Sequence, residues 1–302
     1  MTHHLSWLEA GVVGAFQGVA ELFPVSSLGH SVLIPAVIGG SWARDLNVST
    51  PESPYLAFIV GLHVATAIAL VIYFWRDWVR IVSGLCTSIV RREIATSDQR
   101  LGWLLVLATI PVGITGLLGE HYFRTTLAKP TPTAIFLIAN GFILLWSEHW
   151  RRKDPDVDSE YVDERISGPE SDERLSSLSI PNAVGIGATQ ILALAPGISR
   201  SGIATVGGLV RGLSREDAAR FSFLLATPVI LAAGALKLGD LAGPLGDGIR
   251  PQIIFGSVLS GVGAYLAVRF LTRYLANRSL RPFGYYCILA GAASAIVFAV
   301  RG

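Results

Sequence analysis

Two short polar interruptions break long apolar runs of this chain, and each leaves flanks too short to cross a bilayer. The second lies in Gln190 to Gly212, where an apolar stretch breaks at Pro196-Gly197, passes through Ser199-Arg200-Ser201-Gly202 and turns apolar again. Ala183 to Ala195 is 13 residues and Gly202 to Val210 is 9, against the roughly 20 that a spanning helix needs. A surface loop with a solvated arginine satisfies this pattern. A re-entrant hairpin satisfies it too, and would carry Arg200 to membrane depth between two half-helices. There irregular backbone must be covered by protein or water, and an arginine needs a partner or an anion. Gln17 to Gly39 repeats the device. Val25-Ser26-Ser27-Leu28-Gly29 aligns with Ile198-Ser199-Arg200-Ser201-Gly202, Gln17 falls opposite Gln190, and each copy has a proline at its break. Matched interruptions in corresponding halves point to a binding site between internal repeats.

The composition places these hairpins in a polytopic membrane protein: of 302 residues, 51% are apolar and 15% charged, unlike an ordinary soluble domain. A net charge of +2 gives no reason to expect a nucleic-acid partner. Cys86 falls in a charged connector and Cys287 in an apolar span, so neither a disulfide nor a thiolate metal site is expected. The N-terminal run lacks the basic n-region and cleavage site of a signal peptide, and is expected to remain in the mature protein.

The expected fold is all-α, with six transmembrane helices and two re-entrant helix pairs in an inverted-topology repeat. Spans are predicted at Tyr55–Trp75, Leu101–Leu118, Thr133–Trp146, Ala218–Leu238, Gln252–Leu271 and Phe283–Val300. Residues 1–150 then make a first repeat, 151–180 a charged, flexible cytoplasmic loop, and 181–302 the second repeat. Ser41–Pro54 and the basic segment Arg76–Arg100 read as connectors. Three spans per half is an odd number, so the second half enters from the opposite side. Charge supports this: 76–100, 151–179, 211–220 and 273–281 hold sixteen Lys and Arg, against six in the segments assigned to the other side. That bias makes the first set cytoplasmic.

The hairpins carry complementary chemistry. Arg200 offers a planar, permanently charged fork for phosphate oxygens, and Ser199, Ser201 and the amides near Gly197 and Gly202 add donors without bulk. Gln17 and Glu21 are one helical turn apart and share a face. Ser27 and His30 are three apart and can approach if that segment is helical. Glu21, a carboxylate in an apolar run, needs a partner or a metal. Together they describe phosphoryl or acyl transfer to a nucleophile with charge stabilisation. Blander roles stand beside these: Ser26 and Ser27 as helix caps, His30 as a packing histidine, Gln17 as a helix-packing amide. His63 and Asn140 are expected to form interhelical hydrogen bonds.

QGVAELFPVSSLGH and PGISRSG resemble the two signatures of the undecaprenyl-diphosphatase (bacitracin-resistance) family, and LATIPVGITGLLG and FSFLLATPVILAAG resemble further family stretches. The resemblance covers nearly the whole chain outside the charged loop near 151–179 and the segment near 243–250. It implies removal of the terminal phosphate of undecaprenyl diphosphate to recycle the lipid carrier of cell-wall synthesis. It implies also dependence on a divalent cation (Mg2+ or Ca2+, with Glu21 as a ligand), and a site open to the outside of a bacterial plasma membrane. By motif position Glu21, Ser27, His30 and Arg200 are its catalytic residues, and Gln17, Ser26, Ser199, Ser201 and Gly202 contact substrate. Either Ser27 or His30 can be the attacking group, and a homodimer is left open. Two departures stand out: Gln17 occupies the place of a second glutamate in many members, and Ala204 that of a threonine. Inverted repeats with broken helices also occur in transporters, so a carrier or flippase for a polyprenyl phosphate is the alternative.

Overall fold

The computed structural model describes residues 5–47, 54–148, 169–237, 243 and 247–301, which contain helices and no strand. In chain order the α-helices are α1 (Trp7–Leu22), α2 (Ser27–Ile38), α3 (Gly40–Asp45), α4 (Pro54–Tyr73), α5 (Trp75–Arg91), α6 (Ser97–Tyr122) and α7 (Pro130–Ser147). They continue with α8 (Pro169–Ser176), α9 (Ile180–Thr189), α10 (Arg200–Val210), α11 (Arg215–Leu236), α12 (Arg250–Asn277) and α13 (Arg281–Arg301). Six of these, α4, α6, α7, α11, α12 and α13, are long and apolar enough to cross a membrane, and each overlaps one predicted span. The chain is a polytopic all-α membrane protein.

The broken segments are too short to span, and long helices hold them through seams of small residues. Along α1 and α12 the backbones touch: a Cβ added at Gly18 would lie 2.1 Å from the Ser260 carbonyl oxygen, and one at Gly14 2.6 Å from that of Gly256. Likewise a Cβ at Gly187 of α9 would lie 1.9 Å from the carbonyl oxygen of Ala108 in α6. In a membrane, where lipid is as apolar as the helices, such close approach supplies the packing energy. The 3₁₀ turn Gln190–Leu194 extends α9 to the break at Ala195.

One end of the bundle is tied by ion pairs. Arg80 donates to Asp77 at 2.7 Å and also to Asp172, while Arg220 lies 2.6 Å from Asp172 and 3.3 Å from Asp77. Arg174 lies 2.7 Å from Asp217. Glu148 pairs with Arg215 and accepts the Leu280 amide at 2.8 Å. The segments whose positive charge was grouped together are therefore neighbours in space.

Three expectations need correction. The connector Arg76–Arg100 contains the amphipathic helix α5, whose Val79, Val82, Ile89 and Val90 stand exposed as on a helix lying at a membrane surface. The charge run hid this 3.6-residue period. Expected loop Ser41–Pro54 begins inside α3. The charged stretch 151–179 holds α8, ordered because Asp172 and Leu175 are buried and Arg174 is paired. Residues 149–168 lie outside the described residues.

Candidate active site

Both breaks meet inside the bundle. Ser26 caps α2, its Oγ accepting the Gly29 amide at 3.2 Å, and accepts the Gly197 amide of the other break at 3.1 Å. It does so at φ +65°, a left-handed conformation that costs a non-glycine residue about 1–2 kcal/mol. The cap bond and the cross-bond offset that strain. In return the hydroxyls of Ser199 and Ser201 donate to the Phe23 carbonyl at 3.4 and 3.3 Å. Asn140 of α7 spans both tips: its Oδ1 accepts the Ser199 amide and its Nδ2 donates to the Pro24 carbonyl, each at 3.0 Å. It is the interhelical bond former that was expected.

At this junction Glu21 is buried and fully engaged. Its Oε1 receives Arg200, carried across from α10, and its Oε2 receives the Ser27 hydroxyl. Gln17 Nε2 donates to Oε2 at 2.9 Å, and His63 Nε2 lies 3.2 Å from the same oxygen. Ser27, Glu21, Arg200 and His63 face a cavity of about 300 Å³ with Gln190, whose other walls include Leu56, Val60, Val112, Leu194, Val229 and Ala233. Lys237, at the end of α11, also lines it. The cavity is thus polar at one end and apolar along its sides.

Of the expected residues, the structure brings Gln17, Glu21, Ser27 and Arg200 together, with Ser26 and Ser199 at the edge of the cavity. Ser201 and Gly202 are turned inward instead. Gly202 donates its amide to Ser199 Oγ at 3.2 Å, and a Cβ there would lie 3.0 Å from the Pro24 side chain. They join the breaks. His30 is placed apart from the residues at the cavity. Its Nδ1 donates to the Ser26 carbonyl and its Nε2 accepts the Tyr286 hydroxyl, both at 2.8 Å. Its ring lines a separate pocket with Phe16, Leu33 and Tyr286. The backbone bond to the preceding turn of its own helix swings the imidazole away from Glu21.

His63, expected to form an interhelical hydrogen bond, does so with α1, and it is the histidine that meets Glu21. Its Nδ1 donates to the Ile59 carbonyl at 2.8 Å, leaving Nε2 toward Glu21 and 3.2 Å from Gln17 Nε2. A protonated Nε2 can donate to Glu21, and a neutral one can accept from Gln17, so either charge state has a partner. Gln190 was noticed only as the repeat mate of Gln17. It is 1% exposed, and both its amide atoms lack a partner among the described residues. The match of the two glutamines in the repeat alignment was the available signal.

Among the described residues no group of three His, Cys, Asp or Glu side chains is placed to hold a metal. The oxygen donors here are Glu21, Ser27 and Gln17, whose Oε1 is buried without a partner. That set is too small for an all-protein cage. It suits an ion that keeps waters and takes phosphate oxygens from its substrate.

A family model described as bacitracin resistance protein BacA matches residues 10–293. The chain belongs to the BacA family. Similar relatives include the undecaprenyl-diphosphatase of Mycolicibacterium paratuberculosis, 59% identical with all of both chains covered. An undecaprenyl-diphosphatase 1 of Frankia casuarinae is 46% identical over 98% of this chain and 99% of its own. For an undecaprenyl-diphosphatase 2 of Chromobacterium violaceum the figures are 42%, 94% and 96%. Within this BacA-family chain, the departure at Gln17 has a structural counterpart: its amide bridges Glu21 and His63. The departure at Ala204 leaves Thr205 one step round the helix, donating to the Ser201 carbonyl at 2.7 Å, so its hydroxyl serves the helix.

Proposed function

We propose that this chain hydrolyses undecaprenyl diphosphate to undecaprenyl phosphate and inorganic phosphate, in the plasma membrane of a bacterium and from a site open to the outer face. The observation that carries this reading is the Ser27 hydroxyl held on Glu21, beside Arg200, at the polar end of an otherwise apolar cavity. A lipid diphosphate has the matching polarity, and the names of the relatives agree with it.

An entering diphosphate competes with Glu21 for Arg200, whose fork suits phosphate better than a single carboxylate oxygen. Once Arg200 turns to the phosphate, Glu21 is free to take the Ser27 proton. Ser27 Oγ attacks the terminal phosphorus, the bond to the bridging oxygen breaks, and undecaprenyl phosphate leaves. Water then hydrolyses the phosphoserine, giving inorganic phosphate and restoring the hydroxyl. His63, in contact with Glu21, passes the proton between carboxylate and solvent, and Gln190 donates to a phosphate oxygen. A divalent cation held by Glu21 and Gln17 would neutralise phosphate charge. Purified protein in detergent should release phosphate from a long-chain prenyl diphosphate. No release with Mg2+ or Ca2+ supplied would overturn the reading.

The two histidines separate in a pH profile. His63→Asn should lower kcat/KM about 100-fold and flatten its limb near neutral pH. His30→Gln acts only through the placement of α2 and should keep the wild-type shape. The opposite pair of profiles would give the proton transfer to His30.

The same reading includes an inverted repeat with residues 76–100 and 211–220 in the cytoplasm. Single cysteines at Glu93 and Asp247, in a chain lacking Cys86 and Cys287, report it. A membrane-impermeant maleimide on intact cells should label position 247 and spare 93, and the reverse would refute the topology.

A further inference from the structure

We infer that the seam between α4 and α12 is a binding site for one anionic phospholipid, separate from the cavity of Glu21. At the end of α12 a groove of about 520 Å³ is lined by Arg269, Arg273 and Arg278, with Phe270, Tyr274 and Leu266. Arg269 and Arg273 are one helical turn apart and share a face. Arg278 closes the groove just past the helix end, its amide donating to the Tyr274 carbonyl at 2.8 Å. All three are exposed, and no carboxylate among the described residues pairs with them. Arg80, Arg174, Arg215 and Arg220, at the same end of the bundle, each have one.

Leu266 belongs also to a second groove, of about 560 Å³ and almost wholly apolar, between α4 and α12. Its walls include Ile68, Ile72, Ile254, Val258 and Val262, and Ala65 and Gly261 keep it open. Along α12 it extends from Ile253 to Leu266, roughly 20 Å at 1.5 Å per residue. One leaflet's share of the hydrocarbon core is about 15 Å. A basic mouth at the membrane boundary therefore leads into an apolar slot long enough for an acyl chain. Free phosphate would use the arginines and leave the slot unexplained, whereas a phospholipid uses both. The charge of the mouth selects an anionic headgroup, which basic clusters at this boundary attract.

Native mass spectrometry of the full-length protein with phosphatidylglycerol or phosphatidylcholine tests this. Wild type should retain phosphatidylglycerol in preference to phosphatidylcholine. Joint replacement Arg269→Gln, Arg273→Gln and Arg278→Gln should weaken phosphatidylglycerol about tenfold or more. A second variant, Gly261→Leu, guards against misfolding of the first. A Cβ there meets nothing closer than 3.5 Å, so the longer side chain fills the slot and should also reduce binding. Both variants should keep phosphate release in detergent, since neither touches the cavity of Ser27. Equal retention of the two lipids, unchanged retention in both variants, or full displacement of phosphatidylglycerol by inorganic phosphate would overturn the proposal.

Discussion

Ser27→Ala should lower kcat for phosphate release by about 10⁴-fold or more, the loss expected when a nucleophile is removed from a group of residues acting together. Loss of one hydrogen-bond donor to the transition state costs about 10²–10³, so the size of the effect separates the roles. Rapid quench of the wild type should trap an acid-stable phosphoserine. An acid-labile phosphohistidine would move the attack to a histidine, and Ser27→Ala retaining more than about a tenth of wild-type kcat would exclude the serine. Absence of any phosphoenzyme would indicate direct attack by water. Thermal unfolding should change little, because α2 is capped by Ser26 and not by Ser27.

Arg200→Lys should lose about 10²–10³ in kcat while the protein still inserts and folds. Lysine keeps the charge that Glu21 needs, but loses the planar two-pronged grip on phosphate. Arg200→Ala should be worse in a different way, since it leaves Glu21 without its ion pair in a buried setting. Comparing thermal stability of the two variants separates these effects: the lysine variant should melt near wild type and the alanine variant lower. Near-wild-type turnover in Arg200→Lys would return Arg200 to a structural role.

Much of this was legible from residue order, for physical reasons that differ from part to part. Long apolar runs announce spans because lipid tolerates nothing else there, and short ones announce half-helices for the same reason. Glu21 and Arg200 each announced the need for a partner, because an isolated charge at that depth is untenable, but that they meet each other across 179 positions is a fact of the fold. The surroundings of the histidines were less legible. The spacing of Ser27 and His30 describes proximity along one helix, but ring direction is decided by the Ser26 carbonyl and Tyr286, which spacing does not contain. His63, 42 positions beyond Glu21, comes within 3.2 Å of it only through the packing of α4 against α1. Helices α5 and α8 were hidden by their charge, which elsewhere signals a solvated loop. In α8 Asp172 and Arg174 are bound to other helices.

The ion pairs at one end of the bundle also decide how the cavity can breathe. Asp77, Asp172, Asp217 and Glu148 tie α5, α7, α8 and α11 to one another, and Glu148 reaches the segment before α13. Separating any of these pairs would strand a buried charge, at a cost of about 3–5 kcal/mol. Toward the other end the described contacts are lighter: an exposed Asp247–Arg250 pair, and Arg301 donating to the Val37 carbonyl. Opening such a bundle costs most where the buried pairs are, as at the spring of a clothes-peg, and the other end stands to it as the jaws. The jaws are the end where Lys237 lines the cavity. A substrate admitted there would leave through the same opening, so the reaction could run without ever connecting the two faces of the membrane.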